Sequence, residues 1–125
     1  MKTVSVKQFL QDAKDGNIDL NDFFLKVIEK NEEIQEKYNP FITLLEKLEA
    51  PRSKGNLYGL PLSVKDNICT KNIQTTAGSK ILEGYIPPFD ATSVDRTKNE
   101  GAVVIGKTVM DDVSVDDVST LNPLK

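Results

Sequence analysis

The chain has 125 residues, 38% of them apolar and 28% charged, with a formal net charge of -3. That length fits one domain with a modest core, and the composition is that of a soluble globular protein rather than a disordered one. The acidic balance offers no basic patch for direct nucleic-acid binding. No apolar run is long enough to span a bilayer, and Met1-Lys2-Thr3-Val4-Ser5 lacks the apolar core of a signal peptide, so the expected compartment is the cytoplasm.

Histidine is absent and Cys69 is the single cysteine. A Ser-His-Asp triad, a Cys-His pair and a zinc site built on His or several Cys therefore cannot be assembled from these residues. Neither can an internal disulfide. Proton transfer near neutral pH falls to Lys, Asp, Glu or Tyr.

In chain order, Ser5 and Gln8 have capping-box spacing, and Val6, Phe9, Leu10 and Ala13 make one apolar stripe. Gly16 stands where a left-handed residue closes that helix. Asp19 can cap a second helix with the stripe Phe23, Phe24, Val27, Ile28, Ile34 and Tyr38, and Asn39-Pro40 ends it. Phe41 to Leu45 reads as a strand, followed by a polar connection from Glu46 to Leu57.

Gly59 to Asn67 reads as a second strand, in which Leu62 and Val64 share one face and Ser63 and Lys65 the other. Ile68 to Pro88 has no sustained period and reads as a long ordered loop with a helical turn around Ser79 to Leu82. Asp90 can cap a helix running from Val94 to Glu100, closed by Gly101. Ala102 to Ile105 is continuously apolar, as in a strand buried on both faces. The helix-Gly-strand order implies an α/β core with a largely parallel or mixed sheet. From Val109 the chain becomes acidic and Val-rich, and residues 109–125 read as a disordered tail.

Gly101-Ala102-Val103-Val104-Ile105-Gly106-Lys107-Thr108 satisfies the phosphate-loop pattern. The reading is rejected, because a helix precedes the first Gly and the intervening residues are themselves the strand. Thr75-Thr76-Ala77-Gly78-Ser79 is either a hydroxyl-rich substrate wall or a turn whose threonines satisfy local backbone, the turn being favoured. Cys69 reads as a small apolar residue rather than a nucleophile. Lys65 is either a solvated cation or a base made neutral by burial, since desolvation lowers a lysine's pKa. Asp66 points to the opposite side and is expected to hold backbone or loop groups.

Four blocks in order resemble the amidase-signature family: Gly59-Leu60-Pro61-Leu62-Ser63-Val64-Lys65-Asp66-Asn67, Thr75-Thr76-Ala77-Gly78-Ser79, Pro88-Phe89-Asp90-Ala91-Thr92, and Gly101 to Thr108. Within it, Thr75 to Tyr85 is similar to the A subunit of tRNA-dependent amidotransferases. The resemblance implies helices plus the first strands of the family's mixed β-sheet, left incomplete, with residues 1–108 as the N-terminal part of an amidase-signature domain.

It also implies that Lys65 is the base of a Ser–cis-Ser–Lys relay that forms an acyl-enzyme from a carboxamide, which is glutamine in the amidotransferases. The released ammonia would pass to the B subunit, which converts Glu-tRNA(Gln) or Asp-tRNA(Asn). The implied partners are the B subunit, then the C subunit, and tRNA only indirectly. No cofactor or metal is expected in this chain, ATP and Mg²⁺ belonging to the partner subunit.

The Gly/Ser-rich segment that holds both serines in the family has no counterpart in the 125 residues, and Ser114 and Ser119 stand in the wrong context. The expectation is a truncated piece, similar to the amidotransferase A subunit, that hydrolyses no amide alone. The alternatives are a fragment of a general amidase, and a non-catalytic module that docks the B subunit through its N-terminal helices.

Overall fold

The computed structural model describes residues 4–110. The element order is α1 (Val6–Lys14), α2 (Leu20–Tyr38), β1 (Phe41–Leu44), β2 (Pro61–Lys65), a 3₁₀ turn (Lys80–Leu82), α3 (Thr92–Asn99) and β3 (Val103–Thr108). Both N-terminal caps are those the residue types dictate. Ser5 Oγ accepts from the Gln8 amide at 3.1 Å, and Asp19 Oδ1 accepts from the amides of Asn21 and Asp22. Gly16 (φ 75°) closes α1 and Asn39 (φ 50°) closes α2, both in the left-handed region.

The two helices meet through Phe9 and Phe23, whose ring centroids lie 4.8 Å apart. Phe9, Ala13, Phe24 and Val27 are buried, so the apolar stripes face inward over most of their length. The α2 stripe does not reach Tyr38, which is exposed in the last turn with Lys37 Nζ 5.2 Å from its ring. The left-handed Asn39 redirects the chain there, and Gln35 takes over the anchoring. Its amide donates to the Phe41 carbonyl and its oxygen accepts from the Phe41 N–H.

The three strands form one mixed sheet in the order β1-β3-β2, with β1 antiparallel and β2 parallel to β3. Val64, Val94 and Val104 form the cluster that joins α3 to one face of the sheet, with Leu62, Ile68, Ile73 and Ala91 packed around it. The central strand is longer than its apolar run, extending through Gly106 and Lys107 to Thr108. Gly106 is required in it, because a Cβ there would meet Phe41 Cδ1 and the Thr43 carbonyl oxygen, each at 2.9 Å.

The expected cap of α3 is corrected. Ala91 occupies the cap position without a side-chain bond. The Asp90 carboxylate is instead drawn to Lys98 Nζ at 3.0 Å, the Lys71 amide at 2.8 Å and Arg52 at 3.2 Å. Two cations and a backbone N–H outcompete the bare helix terminus for that carboxylate. Val109 still belongs to the fold, donating to the Pro40 carbonyl at 2.8 Å, and Met110 is buried. The remainder of the expected tail, 111–125, lies outside the described residues.

Candidate functional site

The parallel pair β2 and β3 ends on one side of the sheet, with Lys65 opposite Thr108. In open α/β sheets the carboxyl ends of parallel strands are where ligands bind. Ser63 and Lys65 are both exposed on one face of β2, while Val64 is buried on the other, as the alternation in the sequence requires. The Lys65 backbone is fixed on both sides. It pairs with β3, and its carbonyl accepts from the Ile68 amide at 3.0 Å in the turn that follows.

Behind Lys65, on the face of Val64, lies a buried polar cluster that the sequence did not single out. Lys107 and Asp66 are both fully buried, with Lys107 Nζ 3.8 Å from Asp66 Oδ1. Lys107 donates to the Ile68 carbonyl and to Thr75 Oγ1, each at 2.8 Å. Thr75 donates its own hydroxyl hydrogen to the Ile73 carbonyl and therefore accepts from Lys107. Asp66 Oδ2 accepts from the amide and the hydroxyl of Thr76, while Oδ1 makes no hydrogen bond among the described residues.

Both members of this pair are displaced toward neutrality. Burial pushes Lys107 down to about 8, against the opposing charges of Asp66 and Cys69. Burial likewise pushes Asp66 above its ordinary value, partly offset by the hydrogen bond from the Thr76 hydroxyl and by the Lys107 charge.

The position of Lys107 has a geometric cause. Leu62 pairs with Val104 but Ser63 with Gly106, so the register slips by one residue at Ile105. Strict alternation from Val104 would put Gly106 on the core face. The extra residue puts Lys107 there instead, opposite Val64. The one signal available in the sequence was a lysine continuing an apolar run expected to be buried on both faces.

The same burial excludes a phosphate loop, since Lys107 exposes no surface to a nucleotide and Val103 to Thr108 form the strand itself. Thr75 and Thr76 are buried and bonded within the chain, which makes their segment an internal turn rather than a substrate wall. Ala77 (φ 52°) and Gly78 (φ 73°) complete that turn, and the Ala77 amide donates to the Asp66 carbonyl at 2.9 Å. Asp66 thus holds loop groups, as expected from its side of the strand. Cys69 is a free, half-buried thiol whose carbonyl accepts from the Ala91 amide.

The family model described as Amidase matches residues 5–124, and the chain belongs to that family. It is 38% identical over 118 residues to the A subunit of glutamyl-tRNA(Gln) amidotransferase from Sulfurisphaera tokodaii, covering 88% of this chain and 25% of that protein. Over 75 residues it is 51% identical to the corresponding protein from Pseudothermotoga lettingae, covering 60% of this chain and 16% of that one.

In three dimensions it aligns with the N-terminal quarter of amidase-signature structures. The A subunit of glutamyl-tRNA(Gln) amidotransferase from Thermotoga maritima superimposes with a TM-score of 0.79 at 28% identity, covering 96% of this chain and 26% of that one. The peptide amidase from Stenotrophomonas maltophilia gives a TM-score of 0.75 at 26% identity, with 87% and 25% covered. The chain spans about a quarter of the length of the curated relatives it matches. Among the described residues no helix is long and apolar enough to cross a membrane.

Proposed function

We propose that these 125 residues are the lysine-bearing part of the glutamine-hydrolysing subunit of a tRNA-dependent amidotransferase, with Lys65 as the base of its Ser–cis-Ser–Lys relay. The observation that carries the proposal is the placement of Lys65. It stands at the carboxyl end of a parallel strand, exposed on the Ser63 side, with its backbone held by β3 and by the Ile68 turn. In the completed site the Lys65 amine takes a proton from the bridging serine, which activates the serine that attacks the glutamine carboxamide. The partner that receives ammonia is the B subunit, with or without the C subunit. ATP and Mg²⁺ act there and not on these residues.

Residues 1–125 contain the lysine but not the Gly/Ser-rich segment that supplies the nucleophile, so alone they release no ammonia from glutamine. The test is a glutaminase assay on the purified chain, alone and mixed with a polypeptide carrying the remaining three quarters of an amidotransferase relative. Activity is expected only in the mixture, and Lys65→Ala should lower it by about 10²–10⁴-fold, the usual contribution of a general base. Hydrolysis by the chain alone that Lys65→Ala abolishes, or a reconstituted Lys65→Ala mixture of full activity, overturns the proposal.

The reading as a docking module rests on Phe23, Phe24 and Val27. Phe24 and Val27 are buried inside the fold and Phe23 is half-buried against Phe9, so polar substitutions there test folding before they test docking.

A further inference from the structure

We infer that Lys107 and Asp66 are positioning residues that fix the turn after β2, and with it the direction in which Lys65 leaves the sheet. The inference rests on Lys65 being the base and adds the residues that hold it. Neither positioning residue reaches the open face. Both act through the backbone from the opposite side of the sheet.

The clamp closes on the turn at three points. Asp66 is tied through its amide to the Thr108 carbonyl at 3.2 Å, through its carbonyl to the Ala77 amide at 2.9 Å, and through its carboxylate to Thr76. Ile68 is held through its carbonyl by Lys107 and through its amide by the Lys65 carbonyl. Lys107 reaches across from β3 to hold Ile68 and Thr75 at once, joining two separate points of the loop that follows β2. The two side chains in the clamp, Lys107 and Asp66, are fully buried, where such bonds are hardest to replace with water.

A residue that merely stabilises the fold and one that holds this turn differ in what else moves. Loss of global stability raises amide exchange everywhere the core opens, whereas loss of a local clamp raises it only around the turn. Hydrogen exchange on the whole chain therefore decides the matter. The amides of Asp66 and Ile68 report the turn, and the Leu45 amide, bonded to the Ile105 carbonyl, reports the sheet on the far side of β3.

Lys107→Met removes the donor while keeping an unbranched chain of similar length. Thr75→Val removes the hydroxyl that Lys107 bonds, and with it the bond to the Ile73 carbonyl, and its near-isosteric shape makes it the second variant if Lys107→Met unfolds. For each folded variant the Ile68 amide should lose protection by about tenfold or more, with Leu45 changing by less than about twofold. In the reconstituted amidase the same variants should lower kcat with KM held within about twofold.

Equal loss at Ile68 and Leu45, or no loss at Ile68 in Thr75→Val, overturns the inference. The exchange result does not depend on activity. A reconstituted Lys65→Ala mixture that stays active would remove the base while leaving the clamp standing.

Discussion

The buried pair of Lys107 and Asp66 makes the stability of this chain depend on pH in a way that can be worked out beforehand. Lys107 is held at about 8 in the fold against an ordinary value of 10.5. Between those two values the unfolded chain binds more protons at this residue than the folded chain does, so stability rises as pH rises through the window. Each unit corresponds to about 1.4 kcal/mol, and the full displacement to about 3 kcal/mol. Asp66 has the opposite sign. Its carboxyl is raised above 3.8 by burial, so its contribution is present below pH 3.8 and is lost as pH rises through the folded value. The two contributions therefore run in opposite directions: that of Asp66 is lost as pH rises through its folded value, and that of Lys107 is gained as pH rises from about 8 to 10.5.

The perturbation is the double substitution Lys107→Met with Asp66→Asn, which removes both charges and leaves an amide oxygen to accept from Thr76. Urea unfolding of the two proteins at about pH 7 and about pH 10.5 isolates the pair, because every other titrating group is common to both. With a slope of about 1.5 kcal/mol per molar urea, the native midpoint should gain about 2 M on the variant over that interval. Cys69, the other titratable group whose charge acts on Lys107, is present in both chains. If the two midpoints move in parallel across that interval, the assignment of a desolvated ammonium to Lys107 is wrong.

Other substitutions separate the elements of the fold. Gly101 has φ 97°, and a Cβ there would stand 2.5 Å from the Ser53 carbonyl oxygen and 2.8 Å from Tyr58 Cα. Gly101→Ala should accordingly cost about 3 kcal/mol or more, read from the urea midpoint. Lys98→Met leaves the buried Asp90 carboxylate without its closest cation and should cost about 3 kcal/mol. Arg52→Ala removes a cation 39% exposed from the same carboxylate and should cost about 1 kcal/mol. Equal losses in those two variants would show that burial does not govern the network. Lys65→Ala, at an exposed position, should leave the unfolding midpoint within about 0.5 kcal/mol of the native chain while removing activity from the reconstituted enzyme.

The parts of this structure legible in the sequence are those set by neighbours along the chain. Ser5, Asp19, Gly16 and Asn39 mark helix ends because capping depends on the residue itself and its next few amides. The two faces of β2 follow from alternation over five residues. What the sequence hid is set by partners far along the chain. Asp90 has the composition of a helix cap, but Arg52 and Lys98 arrive from elsewhere and take its carboxylate. Lys107 stood in a rejected phosphate-loop pattern and in the last of the four family blocks, neither of which placed it in the core. A slip of one residue against β2 turns it into the core, and no local pattern records that slip. The chemistry assigned to Lys65 came from the resemblance of its surroundings to a family and not from its spacing, which left surface cation and buried base both open.

The sheet separates its two strand-end lysines by solvent. β3 sends Lys107 into the face closed by α3 and the 66–79 loop, and β2 sends Lys65 to the open face. A lysine accepts a proton only when its amine is neutral, and removal from water is what favours that form. Of these two lysines, the one removed from water is Lys107, where Ile68, Thr75 and Asp66 occupy the amine and leave it no substrate to reach. Lys65 has the access but not the cover. In the proposed function, a polypeptide that lies over Ser63 and Lys65 supplies the nucleophile and covers the exposed face of β2. The inactivity proposed for residues 1–125 thus has two causes, the missing serines and the open face. Grafting a serine next to Lys65 would remove only one of them, and such a variant should still fail to hydrolyse glutamine until the open face is covered.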